Sequence, residues 1–300
     1  MLKIAWSEKY HHGLPAGHRF PMEKYSLLYA QLLYEGTVKD SAYFLPDALS
    51  KEDVIRTHDA GYFDKLVNLE LSALEARKTG FPLSKELIER ELLIMGGTLE
   101  AAKYALQYGI AMNIAGGTHH AFTNRGEGFC LLNDMAIAAR ELIHQGLVNQ
   151  CIVVDLDVHQ GNGTAEIFKD DSSVFTFSMH GKSNYPMHKE MSDLDIALED
   201  KTDDKTYLGL LDYHLKSIID EVKPDLILYQ CGVDVLGTDK LGRLNLSIGG
   251  CRERDKLVLE TAKLNRIPIV GAMGGGYSER IADIVDAHAN TFRLAQELYF

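Results

Sequence analysis

The run Asp155-Leu156-Asp157-Val158-His159 places two carboxylates and an imidazole at alternate positions. In an extended strand, residues i, i+2 and i+4 face one side, so the three side chains can meet at one point. Two carboxylates buried side by side repel and are driven towards the protonated state unless a cation lies between them. A divalent metal removes that conflict; a solvent-exposed turn, with the acids apart in water, is the other arrangement the run permits. Asp234 follows a second apolar run and extends the set. Asp157, His159 and Asp234 together offer three O/N donors and leave a fourth position for water. That is the open arrangement of a catalytic zinc rather than a closed structural one.

Two further runs carry chemistry. Gly116-Gly117-Thr118-His119-His120 follows the apolar stretch Ile110–Ala115. Histidine titrates close to neutral pH and suits proton transfer. Paired histidines are also common in solvated loops, and His11-His12 is read that way. His119-His120 differs in following two glycines, which allow close backbone approach. Gly274-Gly275-Gly276-Tyr277-Ser278 has the flexibility of a phosphate cradle. It lacks the lysine of a P-loop and the dinucleotide-binding spacing, so it is read as a turn that carries the Tyr277 hydroxyl into the site.

These runs need a frame that brings them together. Ile110–Ala115, Cys151–Val158, Val174–Met179, Asp225–Cys231 and Ile267–Met273 read as strands, and Met1–Trp6 is a short strand-like run. Their near-continuous apolar character is that of parallel strands covered on both faces. Ile88, Leu92, Met95, Leu99, Ala102 and Leu106 mark one face of an amphipathic helix. Asn133-Asp134 caps a helix over Met135–Gln145, ended by Gly146, and Tyr207–Glu221 and Arg252–Asn265 are two more. Alternating helix and strand specifies an α/β fold with a largely parallel sheet. Ligands of such sheets bind beyond the carboxyl ends of the strands, where all the runs above fall. Gly181–Lys205 lacks periodicity and reads as a loop.

The chain has 300 residues, 46% hydrophobic and 25% charged, an ordinary globular composition. One domain over residues 1–300 is expected. A core of that size needs no metal or disulfide staple, so a metal site here is chemistry. The net charge of −12 argues against direct nucleic-acid binding through a broad basic face and admits cationic substrates. Cys130, Cys151, Cys231 and Cys251 lie far apart without a C-x-x-C pair. They read as buried thiols in a reducing compartment rather than a disulfide framework or thiolate zinc site. No apolar run reaches the roughly 20 residues of a membrane span, and the N-terminus has no signal-peptide core. A cytoplasmic location is expected; the oligomeric state is left open.

The blocks GGTHHAFTNRGEGFCLLND (Gly116–Asp134), VVDLDVHQGNG (Val153–Gly163), GVDVLGTDKLGRLNLS (Gly232–Ser247) and GGGYS (Gly274–Ser278) together resemble the histone deacetylase family of zinc amidohydrolases. The Gln160-Gly161-Asn162-Gly163 variant and the short chain resemble its class IV-type branch and bacterial relatives. The resemblance implies an arginase/deacetylase-type α/β fold with a central parallel sheet of about eight strands flanked by helices. It implies Asp157, His159 and Asp234 as zinc ligands, His119 and His120 as an acid–base pair, and Asp155 as the orienter of His119. Asn162 stands beside His120 where many members have a carboxylate, which makes His120 less readily protonated than in those relatives. The resemblance further implies Tyr277 as the donor to the substrate carbonyl, and Gly128, Phe129 and Tyr185 as the lining of an acyl-lysine channel. For Phe129 and Tyr185, ordinary core packing is the competing reading. A potassium ion near the zinc is also implied, held in the Asp155 region by backbone at Asp157, His159 and Met179 and by the Ser178 side chain.

The implied activity is hydrolysis of the acyl-lysine amide, acetyl or longer fatty acyl, in proteins or peptides. Acetylpolyamine or other small-molecule N-acyl amidohydrolases use the same motifs, and the negative charge suits polyamines. Arginase-like ureohydrolases, with two manganese ions, need more Asp and His ligands than these runs supply. A non-enzymatic metal sensor or scaffold would be expected to lack a ligand, the histidine pair or Tyr277; all are present.

Overall fold

The buried apolar runs become the middle of an eight-stranded, wholly parallel sheet. In the computed structural model, which describes every residue from Met1 to Phe300, the strands are β1 (Lys3–Ala5), β2 (Tyr43–Phe44), β3 (Ile110–Asn113), β4 (Cys151–Asp155), β5 (Val174–Gly181), β6 (Leu194–Leu198), β7 (Leu226–Gln230) and β8 (Ile269–Ala272). Ten helices surround them: α1 (Lys24–Tyr34), α2 (Lys51–Ile55), α3 (Ala60–Val67), α4 (Ala73–Thr79), α5 (Lys85–Tyr108), α6 (Asp134–His144), α7 (Asn162–Phe168), α8 (Asp204–Val222), α9 (Ile248–Asn265) and α10 (Ile281–Tyr299).

The period of two in each strand divides one continuous apolar run between two cores. Ile152, Val154, Ile227, Tyr229, Ile269 and Met112 enter the larger core. Cys151, Val153, Leu226, Leu228, Val270 and Ala111 enter the smaller one on the opposite face. Small residues of α5 and α6, among them Ala101, Ala102, Ala105, Ala136 and Ala139, let those helices sit close over the second face. All four cysteines are buried and free.

The spatial order is β2-β1-β3-β8-β7-β4-β5-β6. The chain leaves β3, skips ahead to β4, runs out to β6, and returns through β7 and β8 to fill the gap. The strands that carry the unusual residues therefore become neighbours. Asn113, Ala272, Gln230, Asp155 and Ser178 lie in one register row across β3, β8, β7, β4 and β5. Everything beyond that row emerges on one edge, the crevice where such sheets bind ligands.

Two edge strands differ from the sequence reading. Gly181–Lys205 is not wholly a loop: β6 lies inside it and pairs with β5 from Phe177↔Leu194 to Gly181↔Leu198. It is half exposed, so it shows no apolar run, and its register is pinned from outside the strand. The Asp193 carboxylate accepts the Thr176 N–H and hydroxyl, both at 2.8 Å. The two-residue β2 is too short to leave a pattern.

A buried histidine that the sequence did not single out ties α3 and its flanking loop to the site. His58 Nδ1 donates to the Phe122 carbonyl at 2.9 Å, and its Nε2 accepts the Asn133 N–H at 2.9 Å. Both ring nitrogens are used by the neutral tautomer. Burial holds its pKa down to about 4, against the pull of the Phe122 and Thr123 carbonyls. The unfolded imidazole titrates near ~6.5. Between those values unfolding takes up a proton, so the His58 contribution is whole above the upper value and is lost as pH falls towards the lower, by roughly 1.4 kcal/mol per pH unit. His58→Gln should flatten the pH dependence of urea stability in that window by about one proton. Equal slopes in the two proteins would show that His58 is not the group responsible.

Candidate active site

Extended strand geometry does not carry the Asp155–His159 run, contrary to the alternation read from the sequence. β4 stops at Asp155, and the chain then bends so that side chains fold back onto backbone donors. Asp157 N–H donates to Asp155 Oδ1 at 3.2 Å, and His159 N–H to Asp157 Oδ1 at 3.0 Å. Asp155 does not join the other two. Its Oδ2 turns the opposite way and accepts from His119 Nδ1 at 2.6 Å.

Asp157 and His159 instead meet Asp234, from the β7 exit. The donor atoms of these three buried side chains all lie within 4.8 Å of one another. His159 Nδ1 is 3.0 Å from Asp157 Oδ1 and 3.1 Å from Asp234 Oδ2. The outer lone pairs are already occupied: Asp157 Oδ2 accepts from Gln230 Nε2 at 2.9 Å and Gly275 N–H at 3.1 Å, while Asp234 Oδ1 accepts from Val158 N–H at 2.9 Å. The three donors are oriented from behind and face one point. Burial, and then the Asp157 charge beside it, push Asp234 up to about 7. Two neighbouring carboxylates cannot both stay ionised here without a cation, so an O/N/O donor set of this kind fits a divalent metal.

A side chain at Gly275 would displace the two carboxylates. A Cβ there would lie 2.2 Å from Asp234 Oδ2 and 2.7 Å from Asp157 Oδ2. The Gly-rich run after β8 thus lets backbone touch the carboxylates, and it delivers Tyr277. The Tyr277 N–H is fixed by Asp239 Oδ2 at 2.6 Å. Burial, then the Asp234 and Asp157 charges, hold its phenol well above the ordinary tyrosine value, so the hydroxyl keeps its proton. Behind the same turn, the fully buried Lys24 donates to the Gly274 carbonyl at 2.9 Å. Burial lowers Lys24 to about 8, against the pull of Asp234, Asp157 and Asp239.

The histidine pair is held from the β3 exit. Asp134, expected only to cap a helix, instead reaches back across the turn. It accepts Gly117 N–H at 3.0 Å, Thr118 N–H at 2.8 Å and the Thr98 hydroxyl at 2.7 Å. Asn133 is the cap, accepting Ala136 N–H at 3.0 Å. The two imidazoles lie 4.1 Å apart between ring centres. His120 Nδ1 donates to Asn162 Oδ1 at 2.6 Å, which leaves its Nε2 lone pair free. Burial opposes a charge on His119, but Asp155 and Asp157 outweigh it and raise it to about 9. Burial, then His119 and His159, drive His120 well below the ordinary value. The two adjacent imidazoles are thereby shifted in opposite directions.

An apolar throat leads to this point. Gly128 and Phe129 are both left-handed, at φ 53° and 68°. Their N–H groups are held by the Lys78 and Thr79 carbonyls at the end of α4, at 3.1 and 2.8 Å. The Phe129 ring stands 5.8 Å from that of Tyr277 and 5.2 Å from Phe20, a wall residue the sequence reading missed. Tyr185 lies edge-on to His120 at 4.9 Å and donates its hydroxyl to Glu127 Oε2 at 2.7 Å. A cavity of about 40 Å³ at the inner end is lined by His119, His120, Asp157, His159 and Tyr277. His119, His120, Gly128, Phe129, Asp157, His159 and Tyr277 line this cavity, and Tyr185 lines the wider opening outside it; Ser178 and Met179 lie within β5.

Residues 18–292 match the family described as the histone deacetylase domain. The chain belongs to the histone deacetylase family. Histone deacetylase 2 of Arabidopsis thaliana is 31% identical over 287 residues, which are 91% of this chain and 73% of that protein. An uncharacterized protein of Picosynechococcus sp. is 41% identical over 296 residues, 99% of each chain. The crystal structure of the HDA15 HD domain has the same fold, with a TM-score of 0.81 at 18% identity, covering 99% of this chain and 92% of that one. In this deacetylase-type hydrolase, no helix is long and apolar enough to cross a membrane.

One buried group that holds the site has no counterpart in the sequence reading. Arg254, on α9, is completely buried. It donates to the Gly232 and Leu156 carbonyls at 2.6 and 3.2 Å, bridging the β7 and β4 exits just before Asp234 and Asp157. Asp255 pairs with it at 2.7 Å and accepts the Tyr229 and Thr291 hydroxyls at 2.5 and 2.6 Å.

Proposed function

We propose that this histone deacetylase-family protein hydrolyses the amide of acyl-lysine in proteins or peptides, acting as one catalytic unit over residues 1–300. The observation that carries the reading is that Asp157 and His159, grouped with Asp234 as one donor set, line the same inner cavity as the His119–His120 pair and Tyr277. Asp157, His159 and Asp234 are the residues that would hold zinc. A zinc ion there supplies Lewis-acid polarisation of the acyl carbonyl and acidification of the attacking water.

The chain's own groups do the rest. His120 Nε2, unprotonated and facing the cavity, accepts the proton of the attacking water. The Asp155 carboxylate holds His119 in its protonated form beside the developing negative charge. The Tyr277 hydroxyl donates to the carbonyl oxygen as it becomes an oxyanion. As the C–N bond breaks, the proton taken up by His120 passes to the departing lysine amine, and the acyl group leaves as a carboxylate. Gly128, Phe129 and Tyr185 enclose the apolar stem of the acyl-lysine and exclude water from the reacting end. A potassium ion belongs to the same reading, beside Asp155 and Ser178, which face each other across β4 and β5.

The direct test is a series of acyl-lysine peptides with neutral flanks, from acetyl to long fatty acyl, offered to the zinc-loaded protein. Turnover of at least one member, lost on chelation and restored by zinc, is the expected result. A zinc-loaded protein inert towards the whole series would reject the reading.

A further inference from the structure

Outside the throat the local charge is opposite to that of the chain. The throat opens into a vestibule of about 350 Å³, lined by Arg19, Lys78 and Arg243 together with Phe129, Tyr185 and Tyr277, and no carboxylate lines it. All three cations are exposed. Two of them are tied to the throat. The Arg19 guanidinium lies 5.1 Å above the Phe129 ring, and Lys78 is the residue whose carbonyl holds Gly128.

Three carboxylates lie near enough to matter, of which Glu75, beside Lys78, is engaged in its own helix cap by the Ser72 N–H at 2.7 Å. Glu127 is already engaged by Arg125 Nε at 2.9 Å and the Tyr185 hydroxyl at 2.7 Å. Asp200 stands 3.5 Å from Arg243, in an exposed pair that water and salt screen. The neighbouring hollow adds Lys240 against Glu23 and Glu279, one negative charge net, so the positive excess is confined to the lining of the vestibule itself. The net charge of −12 is that of the whole chain. Its reach is cut by a screening length of about 8 Å at physiological ionic strength, so the three cations at the entrance set the field that a docked substrate meets.

We propose that the vestibule selects acyl-lysine acceptors whose neighbouring residues are acidic, and that it disfavours polyamines and basic peptides. The proposal rests on the deacylase reading and names the acceptor class for it. The acyl-lysine stem occupies the throat, so residues on either side of that lysine lie in the vestibule. Asp or Glu there meets Arg19, Lys78 and Arg243, whereas a second ammonium group of a polyamine meets three like charges. This reverses what net charge alone suggests.

The experiment uses the zinc-loaded full chain and one acyl-lysine core in three peptides, with acidic, neutral and basic flanks, beside N-acetylspermidine. At low salt kcat/KM should fall in the order acidic, neutral, basic, with about tenfold between the extremes, carried by KM and compressed at high salt. Lys78→Glu/Arg243→Glu should invert the order of kcat/KM, and Lys78→Gln/Arg243→Gln should flatten it. The proposal is overturned if the basic peptide or N-acetylspermidine matches the acidic peptide, or if charge reversal leaves the order unchanged, while the neutral peptide is still cleaved. Failure to cleave even the neutral peptide removes the deacylase reading, and this proposal with it.

Discussion

Tyr277→Phe should lower kcat by about 10²–10³ while the protein binds metal as before and KM changes little. The phenyl ring preserves the packing against Phe129 and Phe20, 5.8 and 6.0 Å away between ring centres, so the turn keeps its shape. What is lost is one O–H donor in a site from which water is largely excluded. Such a donor acts where charge develops, and its loss appears in turnover rather than in substrate binding. The neighbouring carboxylates and burial keep the phenol protonated, so it donates across the neutral pH range. A variant with unchanged kcat would remove Tyr277 from the reacting centre. One that had also lost its metal would show that the hydroxyl serves the metal site instead.

The largest stability effect is expected at Arg254. Arg254→Leu leaves the buried Asp255 carboxylate without its cation and strips donors from the Gly232 and Leu156 carbonyls. Removing one partner of a buried ion pair costs about 3–5 kcal/mol, because the remaining charge has no compensation. The denaturant midpoint should fall accordingly, and metal affinity should fall with it, since the two released carbonyls border Asp234 and Asp157. Arg254→Leu/Asp255→Asn should recover much of the stability. The amide carries no stranded charge; its Oδ1 still accepts from Tyr229 and its Nδ2 donates to the Thr291 hydroxyl, whereas the lost carbonyl contacts are not replaced. Stability recovered without recovery of metal affinity would separate the two roles. A single variant as stable as the parent would show that the network contributes little.

The residues proposed to perform chemistry are legible in the sequence because their types are unusual at the ends of apolar runs. Asp157, His159, Asp234, His119, His120 and Tyr277 all follow such runs, and the sheet's switch in strand order brings those ends together. The residues that support them gave no such signal. Lys24 serves a carbonyl 250 residues away, and Arg254 serves carbonyls 22 and 98 residues away. A single buried polar residue on a helix leaves no periodicity. Asp134 looked like a helix cap because its spacing fits one, and only the fold shows it gripping the turn that leads to His119. β6 was invisible for a related reason: a half-exposed edge strand is fixed by pairing with β5, not by its own pattern. The vestibule's charge was hidden because Arg19, Lys78 and Arg243 lie far apart in a chain whose total charge has the opposite sign.

The central claim is that Asp157, His159 and Asp234 bind one divalent ion at a shared point. Zinc titrated into chelator-stripped protein, with bound metal counted per chain, tests it most directly. The account predicts tight binding of one equivalent, and Asp157→Ala and Asp234→Ala each folded but without that equivalent. Wild-type protein that takes up no zinc, or folded variants that bind it as tightly as the parent, would contradict it.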